Sequence, residues 1–110
     1  MSPEASAGDA ERRYQAVAEE LSVSSGVTPG QMFGMPTLKA GSKAFAGRFE
    51  DAMVFKLSGE AHGRALALPG AHLFDPSGMR PMKEWVVVPS DHADEWHGLA
   101  REALKYVRGS

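Results

Sequence analysis

The sequence predicts an α+β domain in which an antiparallel sheet is packed by helices, in the order α-β-β-β-α-β-β-α. Three observations predict it. Apolar residues recur at helical spacing near both ends of the chain: Tyr14, Val17, Ala18 and Leu21 at one, Trp96, Leu99, Ala100, Ala103, Leu104 and Val107 at the other. Between them, Met53, Phe55 and Leu57 alternate with Val54 and Lys56 at the period of two that a half-buried strand requires. The run Trp85-Val86-Val87-Val88 is aromatic or β-branched throughout, which marks a strand covered on both faces, or covered on one and facing a partner on the other.

Length and composition frame these elements. The chain has 110 residues, 43% hydrophobic and 24% charged, the balance of one globular domain rather than of a disordered chain. It has no cysteine, which excludes disulfides, thiolate metal sites and cysteine nucleophiles. Residues 1–6 lack a basic segment followed by an apolar run, and no stretch is apolar enough to cross a bilayer, so a cytoplasmic location is expected. A formal charge of -2 lacks the basic excess that drives counterion release on DNA or RNA, and nucleic acid is not expected to bind tightly to this domain alone.

Taken in order, residues 1–8 are small, polar or Pro and are expected to form a flexible tail, followed by one domain over 9–110. Asp9 suits the cap of a helix reaching about Ser22, which should stop before Ser24-Ser25-Gly26. Thr28-Pro29-Gly30 continues that break, and residues 31–36 read as an irregular connection or a strand entry. Thr37 to Lys39 and Lys43 to Phe49, joined through Ala40-Gly41-Ser42, predict a hairpin with Phe45, Gly47 and Phe49 on one face. Ser58 suits the cap of a helix of about three turns that Pro69-Gly70 ends. A short extended run from Ala71 to Phe74, a turn at Asp75-Pro76-Ser77-Gly78, and a strand from Lys83 to Val88 follow. Ser90 then caps the last helix, with Asp91, Asp94 and Glu95 at its start, Arg101, Lys105 and Arg108 toward its end, and Gly109 closing it.

Four motifs carry a resemblance: Met32-Phe33-Gly34, Lys43-Ala44-Phe45-Ala46, Met53-Val54-Phe55-Lys56-Leu57, and residues 78–89 from Gly78-Met79-Arg80-Pro81 through Val88-Pro89. In this order the chain resembles the TfoX N-terminal domain family over roughly residues 32–107. The resemblance implies a compact α+β fold similar to type III secretion chaperones, in its named members an association with the regulation of bacterial natural competence, and no catalytic activity. The length suits a stand-alone version of that module, and Gly34-Met35-Pro36-Thr37 replaces the more glycine-rich turn of the competence regulators.

Chemistry-bearing residues are sparse. His62, His72, His92 and His97 have no metal-binding spacing, because His92 and His97 are five apart and do not share a helix face, so surface roles explain them. Asp91, Asp94 and Glu95 invite a hard cation, yet the helix dipole accounts for them. Asp75 suits a turn more than a general base, no serine stands in a nucleophile motif, and no glycine-rich phosphate loop occurs. No catalytic, cofactor or metal site is therefore expected. The candidate interaction surface is Lys39, Lys43, Lys56, Met79, Arg80, Met82, Lys83 and Trp85, which combines cations with methionines suited to adaptable contacts. The expected role is a non-enzymatic protein-interaction or regulatory module whose partner is another protein or a second copy. The alternatives are weak nucleic-acid binding through the basic hairpin and the strip of Arg80 and Lys83, and a small-molecule-binding protein or an enzyme of unassigned reaction acting through His72 and Asp75.

Overall fold

The computed structural model describes residues 3–32, 34–76 and 78–109. Helix α1 runs from Pro3 to Ser25 rather than starting at Asp9, so no change of secondary structure marks the 8/9 boundary. Proline lacks an N–H and is pre-set for a first turn, and Glu4, Ala5, Ala7 and Ala10 favour helix, so the helix extends ahead of its apolar stripe. Gly26 at φ +68° ends it in the left-handed region, and Val27 N–H reaches back to Leu21 O at 3.4 Å.

A strand stands where a break is expected. Strand β1, Thr28–Met32, pairs antiparallel with β2, Met35–Ala40, and Gly34 at φ +75° lies in the tight turn between them. The strand escapes pattern reading because Pro29 and Gly30 normally argue against one. At the sheet edge a missing N–H is tolerated, and Gly30 leaves room for the flexible Lys39 stem, whose Cδ would lie 2.4 Å from a Cβ there. Strands β3, Lys43–Phe49, and β4, Ala52–Lys56, continue the meander. Helix α2, Gly59–Leu66, leads to β5, His72–Phe74, and β6, Met82–Pro89. Ser58 holds the N-cap position of α2, but its hydroxyl makes no capping bond, and the helix has eight residues rather than three full turns.

The last helix likewise departs from expectation. Pro89, not Ser90, occupies the cap of a 3-10 segment, Ser90–Glu95, and helix α3 covers Trp96–Gly109. His92 is non-helical at φ -113°, ψ 30°, and its Nε2 lies 2.8 Å from Pro69 O, a contact with the loop after α2 in place of a regular turn. The six strands described form one antiparallel sheet in the order β1-β2-β3-β4-β6-β5.

The helices contribute to a core on one face of that sheet. Tyr14, Val17 and Leu21 of α1, Ala61 and Ala65 of α2, and the apolar stripe of α3 pack with Leu38, Phe45, Ala46, Met53, Phe55, Val86 and Val88. The opposite face carries a second cluster, Met35, Ala52, Val54, Phe74, Trp85 and Val87, to which no helix contributes among the described residues. Yet Val54 is fully buried and Trp85 is only 7% exposed.

The sheet covers this face by curling over it. Phe49 and Phe74 lie on β3 and β5, which β4 and β6 separate; in a flat sheet the axes of β3 and β5 would be about 14 Å apart, and the two residues stand in register with opposite ends of β6. Their ring centroids stand 5.2 Å apart, edge to face. Two pairing irregularities supply the bend, since bulges kink a strand and increase its twist. Leu38 pairs with Ala46 and Lys39 with Ala44, leaving Phe45 as an extra residue; Leu73 pairs with Val86, but Phe74 pairs with Met82. The first irregularity overturns the expected single face for Phe45, Gly47 and Phe49. It sends Phe45 and Ala46 under the helices, while Gly47 and Phe49 look toward the second cluster.

Gly47 meets backbone closely on the curled face: a Cβ there would stand 2.9 Å from Pro36 O and 3.1 Å from the Met35 methyl. Substitution Gly47→Ala is expected to cost about 1–3 kcal/mol, read from the urea-unfolding midpoint, because backbone and a buried methyl must both shift. Neighbouring Thr37 is 1% exposed, and its hydroxyl has no hydrogen-bond partner among the described residues. Replacing it by Val keeps the shape and removes an unsatisfied polar group, so Thr37→Val should raise stability by about 1 kcal/mol in the same measurement.

Candidate functional site

The rim of the curled face gathers most of the expected interaction residues. Lys56 ends β4 and pairs with Trp85 of β6, which places a cation beside an aromatic wall. The segment entering β6 brings Arg80, Pro81 and Met82 alongside. Together with Lys83 and Glu84 these residues bound an open hollow of about 360 Å3. Met79, next to it in sequence, is 89% exposed. The turn before this segment forms as expected around Asp75, whose Oδ1 accepts from Gly78 N–H at 2.8 Å and whose carbonyl accepts from the same N–H at 3.3 Å; Ser77 lies outside the described residues.

The helical face reaches round to hold the hollow in place. His62 of α2 sets its Nε2 2.7 Å from Lys83 O. Tyr106 of α3 donates its hydroxyl to Glu84 Oε2, and that bond, reinforced by burial, raises the tyrosine pKa. Glu84 Oε1 also lies 3.9 Å from Lys56 Nζ. Glu84 and Tyr106 do not stand out in the sequence; the only signal is that Glu84 falls one residue from Trp85 and so projects from the opposite face of the same strand. The side chains of Arg80 and Lys83 form no ion pair or hydrogen bond among the described residues.

Three expected residues behave differently. Trp85 is buried in the second cluster, so it forms a wall of the hollow and not an exposed anchor. Lys39 lays its aliphatic stem over Gly30 of β1, on the far side of β3 from Lys56. Lys43 is exposed beside the tight turn and pairs with Ala40. The cations therefore split into two groups, one at the hairpin and one at the hollow.

The histidines have local partners. His72 Nδ1 lies 3.2 Å from Gly70 O, and His97 Nδ1 lies 2.7 Å from Glu20 Oε1. With His62 and His92 on backbone carbonyls, all four are engaged in the framework. His72 and Asp75 each bond to backbone nearby and do not bond to one another. Among the described residues no three His, Asp or Glu side chains are grouped to hold a metal ion, and no helix is long and apolar enough to cross a membrane. No protein-family model, curated protein or solved structure matches the chain.

Away from the hollow, α1 is clamped to α3. Arg101 donates to Glu20 Oε2 through Nε at 3.0 Å and through Nη2, while His97 meets Oε1. Hydrogen bonds from Arg101 first and His97 second hold the Glu20 carboxyl below its ordinary value of 4.5. Deeper under the helices, burial pushes the Tyr14 hydroxyl up to about 12 against the opposing charge of Arg48. Because the folded-state value of Glu20 is depressed, its clamp contributes above the ordinary carboxylate range and is lost as pH falls through the folded value. The melting temperature is thus expected to fall as the solution is acidified below pH 4.5, with a shallower fall in Glu20→Gln.

Proposed function

We propose that this chain is a non-enzymatic protein-interaction or regulatory module of the TfoX N-terminal type, acting in the cytoplasm through a protein partner or a second copy. The observation that carries the reading is the hollow between Lys56, Arg80 and Trp85, flanked by the exposed Met79. It joins an apolar wall, a methionine and three cations, of which Arg80 and Lys83 form no ion pair among the described residues, the combination that recognition surfaces use. The family reading rests on the motif order in the sequence. Its strand-borne motifs fall on β3, β4 and β6, while Phe33 lies outside the described residues.

The rival readings draw less support. Binding of nucleic acid through the hairpin together with the Arg80 and Lys83 strip loses reach because Lys39 and Lys43 are separated from Lys56, Arg80 and Lys83. An enzymatic role for His72 and Asp75 loses its pair of groups, since each is bonded to local backbone. A photo-crosslinking residue placed at Met79 in the intact chain and activated in cells tests the proposal. A discrete crosslinked protein is expected from that position and not from Val23, which is 84% exposed. Identical products at both positions, or turnover of a metabolite panel abolished by His72→Ala, would contradict it.

A further inference from the structure

We propose that the hollow at the β4–β6 rim binds an acidic peptide segment carrying one apolar side chain, which inserts against Trp85 and Met82. The inference rests on the interaction reading above and names the partner class. Three cations, Lys56, Arg80 and Lys83, surround the hollow against one carboxylate, Glu84, in a chain whose formal charge is -2. The local sign therefore opposes the sign of the whole molecule. Glu84 is also partly neutralised, because Lys56 lies 3.9 Å away and Tyr106 donates to its other oxygen. Arg80 and Lys83 retain their full capacity for a carboxylate, and a guanidinium accepts one with two parallel hydrogen bonds.

Two features select peptide over nucleic acid. Trp85 is 7% exposed, which leaves too little of its ring open for a base to stack against, while half-buried Met82 beside it adds apolar surface for a small anchor. Three cations interrupted by a carboxylate do not track a continuous phosphate backbone, whereas acidic side chains on a flexible peptide can place themselves on either side of Glu84. The site is also pre-ordered, since His62 holds the Lys83 carbonyl and the Asp75 turn fixes the entering segment, which lowers the entropic cost of binding.

Fluorescence anisotropy on the full chain provides the test, with a labelled short peptide of glutamates around one leucine, its glutamine counterpart, and a single-stranded oligonucleotide of equal charge. The glutamate peptide is expected to bind, more weakly as salt rises, and to lose about tenfold or more in affinity on the double change Arg80→Glu and Lys83→Glu. Both residues are exposed, so the variant should keep the melting temperature of the parent. Replacing the leucine by serine should weaken binding separately. Equal binding of the glutamine peptide, an unaffected charge-reversed variant, or tighter binding of the oligonucleotide overturns the assignment. If the peptide fails while position 79 still crosslinks a discrete protein, the partner class is wrong and the interaction reading stands; if both fail, both fall.

Discussion

The sheet of this protein carries apolar side chains on both faces but, among the described residues, has helices packed on only one, and the rest of the structure depends on how it resolves that mismatch. Leaving Val54, Phe74, Trp85 and Val87 in water would forfeit roughly 1.5–3 kcal/mol for each large side chain. The contact between Phe49 and Phe74 records the solution: strands at opposite ends of a four-strand stretch fold toward each other until their rings meet. The extra residue at Phe45 and the slipped pairing at Phe74 are the devices that bend it, and Gly47 leaves room for Met35 on the inside of the curve.

The hollow is a by-product of the same curvature. Trp85 and Met82 belong to the self-covered cluster, and the hollow opens where that cluster reaches its margin at Lys56 and Arg80. Its floor is therefore as rigid as the curled face, while its rim is tied to the helical layer through His62 and Tyr106. Recognition sites with fixed walls and charged rims lose less entropy on binding than mobile loops do. Exposed Met79 is the adaptable element beside an otherwise fixed frame.

Much of this was legible in the residues, for identifiable reasons. Periodicity located α3 and the strands β4 and β6, because amphipathic spacing is imposed by the core itself. Strand β1 was hidden because Pro29 and Gly30 are edge-strand residues whose acceptability depends on which neighbour they have, a tertiary fact. The opposite faces of Phe45 and Phe49 do not follow from alternation because one bulged residue inverts it, and no local signal marks the bulge. Within the candidate surface, residues 79–85 came together because they are adjacent along the chain, with Lys56 added by pairing of β4 and β6. Lys39 and Lys43 could not be separated from them without the strand order.

The curl itself is open to direct observation. In a nuclear Overhauser spectrum of the labelled chain, ring protons of Phe49 and Phe74 should give mutual cross-peaks, as centroids 5.2 Å apart require. A spectrum that assigns both rings and shows contacts from each only to its own and adjacent strands would mean an open sheet, and the self-covered face and the hollow at its rim would both have to be abandoned.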